Sequence, residues 1–333
     1  MSIEYSEQPV NSFVVMDDQP TPEPPRDGSS WDEYCQVQAM NGSTLVNARK
    51  SMLHLKHAIE NPIEPTPPMQ LGTATHAMLL EPETFEQRFC VMPDYHKDPE
   101  NLRKAKNKSE TDKDRRTESK ATTYYKTKAR QFFEVARAEG QEVVFREQYD
   151  NALAMIEAIR GNAEAAMWLE APDARNEVTV VGEIEGVVCK GRIDILHPTA
   201  LVDVKTAADV GPYQFSKYAV NAGYLFKQAI HRELVRQMTG RTLPVYYIAV
   251  ESSAPFDCAV FEFSGGDEQV FDQELENVKR LLRKYRECLE SEGWPGVDEG
   301  GGYVRFHIPD WAMGSATGVG IGGAEVVELG DYE

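Results

Sequence analysis

The chain has 333 residues, with 54 Asp and Glu against 35 Lys and Arg, for a formal charge of −19. Apolar residues at 41% and charged residues at 27% lie near globular averages, which excludes a collagen-like, fibrous or wholly disordered protein. No apolar run reaches the roughly 18–20 residues a membrane helix needs, and the N-terminus lacks a basic, apolar secretion signal, so the expectation is a cytoplasmic protein without a membrane partner.

The negative charge is concentrated at the ends. Residues 1–34 hold eight acids and one base among Pro9, Pro20, Pro22, Pro24 and Pro25, the pattern of a flexible acidic segment. Residues 287–333 hold ten acids and one base, and 313–333 reads as a Gly-rich acidic tail. Residues 35–312 are expected to form the folded domain.

Within that domain, 41–59 opens with cap-type residues and then spaces Leu45, Ala48, Met52 and Leu55 by three and four, which predicts an amphipathic helix. Pro62, Pro65, Pro67 and Pro68 are expected to stop it before a second helix at 71–80. Residues 102–130 hold eleven Lys and Arg against four acids, with Tyr124 and Tyr125 among them. This is either a solvated face or a surface that tracks phosphates. Further helices are predicted at 124–138 and 147–169. After Pro172 the chain turns rich in Val and Ile, which predicts strands at 177–184, 187–196 and 201–205. A helix at 212–238, strands at 243–251 and 257–263, and a charged amphipathic helix at 268–290 follow. Three adjacent strands without crossover helices imply an α+β arrangement, a mixed central β-sheet flanked by helices and not a doubly wound parallel fold. Cys35, Cys90, Cys189, Cys258 and Cys288 are odd in number and widely spaced, so no disulfide framework or zinc site is signalled.

The chemistry is concentrated at 191–206. Asp194 lies in one predicted strand and Asp203 in the next across a four-residue turn, so pairing the strands brings both carboxylates to one edge. Lys205, two residues beyond Asp203, points to the same face. Burying these charges among Val, Ile and Leu costs several kcal/mol unless they pair as a structural ion pair or bind a cation. Two carboxylates suit Mg²⁺, and a nearby ammonium suits an attacking water or a phosphate.

The arrangement Asp194-x8-Asp203-x-Lys205 has the form of the PD-(D/E)XK nuclease motif, and the predicted β-β-β-α-β order resembles that restriction-endonuclease-like core. Gly72-x3-His76 on the second helix resembles the helix that precedes the core in the phage and prophage exonuclease VIII (RecE-like) family. Glu177 resembles the acid of the family's first strand, and Tyr224 and Gln228 resemble its Gln-bearing helix. Members often carry a Tyr four residues after the Gln, where this chain has Arg232. The 41–55 helix, Arg115, Arg116 and Lys120 in the basic run, and 308–312 also look like this group.

The resemblance implies a Mg²⁺-dependent exodeoxyribonuclease, with Mn²⁺ able to substitute. His76, Asp194, Asp203 and the Val204 carbonyl would hold metal, Lys205 would place the water or offset charge, and Glu177 and Gln228 would complete the catalytic group. Arg115, Arg116, Lys120, Arg192, Thr206 and Tyr224 would contact DNA. It further implies 5′→3′ resection of double-stranded DNA ends in a bacterial host, a RecT-like single-strand annealing partner, and a homo-oligomeric ring of three or four subunits. An endonuclease, a single-strand nuclease, or a catalytically silent DNA-binding phage accessory protein on the same fold are the alternatives.

Overall fold

The computed structural model describes residues 30–104, 114–263 and 266–299, with positions 303, 304 and 306. Residues 1–29 of the expected acidic segment, the 308–312 motif and the 313–333 tail lie outside the described residues.

The described chain opens with helix α1 (Trp31–Gln36), which takes in the last residues of the segment expected to be flexible. Ser30 caps it reciprocally: the Glu33 N–H donates to Ser30 Oγ, and Glu33 Oε2 accepts from the Ser30 N–H at 2.7 Å. A two-residue strand β1 (Met40–Asn41) follows. The single helix predicted at 41–59 is divided into α2 (Gly42–Leu45), a 3₁₀ turn (Val46–Arg49) and α3 (Met52–Glu60). Asn41 caps the first part, and Ser51 caps the last by accepting from the His54 N–H.

Helix α4 (Pro67–Leu80) corrects the reading of the prolines. Pro67 and Pro68 begin this helix instead of holding it off, because the first turn has no use for their missing N–H and their fixed φ is already helical. Helix α5 (Phe85–Arg88), strands β2 (Phe89–Met92), β3 (Leu102–Lys104) and β4 (Asp114–Arg116), and helix α6 (Thr123–Ala138) carry the basic region. Strand β5 (Glu142–Phe145) pairs parallel with β2. The predicted 147–169 helix is two, α7 (Arg146–Gly161) and α8 (Ala163–Leu169), because Asn162 turns out of the first and caps the second.

The central sheet contains β6 (Arg175–Ile184), β7 (Val187–His197), β8 (Ala200–Ala207), β9 (Val245–Glu251) and β10 (Cys258–Glu262) in addition to β1. Between β8 and β9 run helices α9 (Pro212–Asn221) and α10 (Tyr224–Thr239), where one helix was predicted. Gly223 separates them at φ +71°, and a Cβ there would come within 2.6 Å of Val46 Cγ2. Helix α11 (Gln269–Ser291) closes the core with a stripe of Phe271, Val278, Leu281, Leu282 and Tyr285.

The mixed sheet with helices on both faces is the expected architecture. On one face α10 and α11 pack Phe226, Ile230, Leu234, Leu281 and Leu282 against Ile193, Leu201 and Tyr247. On the other, Leu71 and Leu80 of α4 and Met155 and Ile159 of α7 cover Ile195, Val202, Val204 and Ile248. Each such fully buried side chain contributes roughly 1.5–3 kcal/mol of transfer free energy. All five cysteines are free. Among the described residues no helix is long and apolar enough to cross a membrane.

The topology places a fork at the centre. Strand β7 has β6 antiparallel along one edge, while β1 and β8 share the other: β1 pairs at Cys189 and Lys190, and β8 pairs only from Ile195 onward. Beyond Val202, β8 leaves β7 and continues in parallel with β9. Asp194 and Asp203 stand on the two arms where the strands part.

Candidate active site

A backbone N–H released from a ladder must find another acceptor. At the fork the Val204 N–H donates to Asp194 Oδ2 at 2.7 Å, so the side chain of one arm replaces the backbone partner lost by the other. On the opposite edge of β7, the β6 ladder is interrupted at Glu177, although Asn176↔Ile195 and Val178↔Ile193 remain in register around it. Glu177 has φ +52°, a left-handed conformation that costs a non-glycine residue about 1–3 kcal/mol.

Across this point lies α4, which brings His76 down onto the sheet. His76 Nδ1 is 3.6 Å from Asp194 Oδ2 and 3.9 Å from Glu177 Oε1. One ligand atom from each of His76, Glu177 and Asp194 falls within 4.8 Å of the others. One imidazole nitrogen and two carboxylates form a mixed nitrogen and oxygen donor set that could hold a divalent cation. The sequence expectation paired His76 and Asp194 with Asp203 and the Val204 carbonyl. The structure brings Glu177 together with His76 and Asp194, and places Asp203 and the Val204 carbonyl beside them around Lys205.

Asp203 and the Val204 carbonyl have other partners here. Gln228 Nε2 on α10 donates to Asp203 Oδ1 at 2.7 Å, and Lys205 Nζ pairs with Asp203 Oδ2. The same ammonium donates to the Val204 carbonyl at 3.2 Å and stands 4.0 Å from Asp194 Oδ2. Tyr224, expected at DNA, lies with its ring 5.4 Å from Lys205 Nζ and edge-on to Tyr218. It therefore backs the lysine.

The electrostatics follow from this crowding. Burial, with the Asp203 charge adding to it, pushes the Asp194 carboxyl up to about 7. Burial opposes a charged His76, but Asp194 and Glu177 outweigh it and raise the imidazole above its ordinary value. Burial likewise opposes the Lys205 ammonium and is outweighed by Asp203 and Asp194, so its pKa is raised. Burial would raise Glu177, yet His76 and Arg192 together hold it below the usual carboxylate range. Burial therefore favours the protonated form of Asp194, and a bound cation would favour the carboxylate.

Arg192 is the clearest departure from expectation. It was expected to contact DNA, but it is 8% exposed, with Nε donating to Glu177 Oε2 at 2.5 Å and Nη2 to Glu81 Oε1 at 2.8 Å. It is thus a strut that aims Glu177. Thr206 lies under α4, its Oγ1 3.2 Å from where a Cβ on Gly72 would stand, so the glycine lets this helix approach β8 closely. Arg115 and Arg116 lie on β4, paired with β3. Lys120 is exposed at a separate cleft of about 350 Å³ with His96, Tyr125 and Arg146.

The sequence reading missed Glu81, and it missed His231. His231, three residues after Gln228 on α10, sits over Gly191 of β7, where a Cβ would meet its Cδ2 at 2.5 Å. Burial pushes its imidazole down to about 4, so a neutral ring lies behind the acids. The available signal was Gly191 itself, since glycine inside a strand often marks a close approach.

These features can be compared with known proteins. Residues 41–306 match a family described as a PDDEXK-like domain of unknown function. The crystal structure titled "Putative exonuclease" from Eubacterium rectale is similar in fold, with a TM-score of 0.52, 13% identity, and coverage of 86% of this chain and 98% of that one. No curated protein matches the chain.

Proposed function

The chain belongs to the PDDEXK-like family, and from that premise we propose that it is a divalent-metal-dependent deoxyribonuclease that degrades DNA from an end. The observation that carries this reading is the Lys205 ammonium, held on Asp203 beside the cluster of His76, Glu177 and Asp194. A metal-dependent phosphodiester nuclease combines a cation site with an adjacent fixed positive charge, and the cluster beside Lys205 supports that reading. Bound by that cluster, Mg²⁺ or Mn²⁺ would polarise the scissile phosphate and lower the pKa of an attacking water.

The chain's own residues do the rest. Lys205, held by Asp203 and the Val204 carbonyl, offers an ammonium to the attacking water or to the charge that develops on phosphate. Gln228 fixes the Asp203 carboxylate that orients the lysine, and Arg192 fixes Glu177. On the same reading, the basic 102–130 stretch would track phosphates without reading sequence, since nonspecific binding needs only cations along the strand. The direction proposed is 5′→3′ on linear duplex DNA. The biological setting proposed is phage-type recombination, with a RecT-like annealing protein as partner and a homo-oligomeric ring as the working form.

The test compares the protein with Asp203→Ala on linear duplex DNA labelled at either end, with Mg²⁺ or EDTA, beside a covalently closed circle. Mg²⁺-dependent release of the 5′ label, with the circle intact and the variant inactive, is the expected result. Cutting of the circle would make it an endonuclease, and binding without cleavage in both Mg²⁺ and Mn²⁺ would overturn the enzyme.

A further inference from the structure

We propose that Trp31 is a stacking platform for a nucleobase of an unpaired DNA strand end, placed beside the His76, Glu177 and Asp194 cluster. The proposal rests on the nuclease reading and names the form of substrate that the site takes.

Helix α1 precedes the segment matched to the family, residues 41–306, and none of its residues is buried. It adds no side chain to the core, yet it is firmly held. Lys190 Nζ donates to the Tyr34 and Val37 carbonyls, both at 2.8 Å, and Ser30 closes the N-terminal turn. What this anchoring fixes in place is Trp31. Its ring stacks on Tyr34 at 5.4 Å with an interplanar angle of 30°. The guanidinium groups of Arg88 and Arg192 lie 5.4 and 5.9 Å from its centroid. These groups hold the ring in place, so it loses little further freedom when a base stacks on the part of it they leave exposed.

Despite this support Trp31 is 37% exposed, and it lines the same cleft of about 160 Å³ as His76 and Glu177. Gly72 and Thr73 also line it. Inside a duplex both faces of a base are covered by its neighbours, and an enzyme reaches one only where it is unpaired or drawn out. A tryptophan in such a cleft therefore suits a frayed or single-stranded end. Every base has a π-face, so a platform of this kind tolerates any sequence.

The experiment uses the full chain with Ca²⁺ in place of Mg²⁺, and oligonucleotides carrying 2-aminopurine or an abasic residue at successive positions from each end. Wild type is expected to quench 2-aminopurine at one terminal position. Trp31→Ala is expected to abolish that quench and weaken single-strand binding by about tenfold, while Trp31→Phe stays within about threefold of wild type. An abasic residue at the quenched position is expected to reproduce the loss in wild type and add nothing in Trp31→Ala, which a merely structural role for the ring would not produce. Unchanged quenching and affinity in a folded Trp31→Ala protein would overturn the platform, as would an abasic effect that persists in that variant. If wild type binds and cleaves DNA while the variant behaves identically, the platform alone fails. If wild type binds no DNA in any form, the nuclease reading fails with it.

Discussion

Replacing Asp194 with Asn should stabilise the metal-free protein at alkaline pH while removing its response to divalent cations. Burial raises the Asp194 carboxyl from 3.8 to about 7, so the folded protein holds this proton more tightly than the unfolded chain. Between about pH 4 and pH 7 the unfolded state has released the proton and the native state has not, so native stability falls as pH rises through that window. A shift of roughly three units corresponds to about 4 kcal/mol, fully expressed only above the folded pKa. Asn is neutral and its Oδ1 can still accept from the Val204 N–H, the bond now made by Asp194 Oδ2. His76 and Lys205 lose a counter-charge in the variant, which leaves a net gain of about 2–4 kcal/mol. For a chain of this length that is on the order of 3–6 °C in melting temperature. Melting both proteins in EDTA at about pH 4 and about pH 8 should give near-equal values at the first and a higher one for the variant at the second. Added Mg²⁺ should then raise only the wild type. A difference of the same size at both pH values, or a variant less stable at the higher one, would refute the reasoning.

Three further outcomes follow from the site's supports. Gly191→Ala would drive a Cβ to 2.5 Å from His231 Cδ2, so urea unfolding should show a loss of about 1–3 kcal/mol, accompanied by lower activity because α10 also carries Gln228. Arg192→Met should cost about 3 kcal/mol at neutral pH by taking the shared guanidinium from Glu177 and Glu81 and leaving them only His76 and Arg88, and denaturant titrations should show the deficit shrinking as acid protonates them. Lys120→Ala should lower the slope of log binding constant against log salt by about one if that residue meets a phosphate, with no change in the cleavage rate at saturating DNA.

Much of the site was legible because its residues break a local pattern. Asp194, Asp203 and Lys205 are charges inside runs of Val, Ile and Leu, and period-two alternation puts Asp203 and Lys205 on one face without further information. Gln228 and Tyr224 are one helical turn apart, so a shared face is legible in their spacing, but that both reach the Asp203–Lys205 pair is seen only in the structure. The three strands followed from the Val- and Ile-rich texture after Pro172, and the mixed sheet from three adjacent strands without crossover helices.

What the sequence determined by itself, then, was which elements form and which faces carry charge, because those depend on neighbours within a few positions. The tertiary structure decided who meets whom. No local rule has β7 divide one edge between β1 and β8, and that division opens the fork between Asp194 and Asp203. Glu177 meets His76 because of a left-handed residue within its strand and a helix from much earlier in the chain that crosses over it. Arg192 reads as a cationic DNA contact in sequence and is a buried strut in space, since Glu81, 111 positions away, supplies its second carboxylate. Trp31 belongs to a segment whose composition predicts flexibility, and it lies over the site because Lys190, from the middle of a strand, holds its helix there. Local propensity acts through the chain's own backbone, whereas these contacts exist only once the sheet and α4 have packed together.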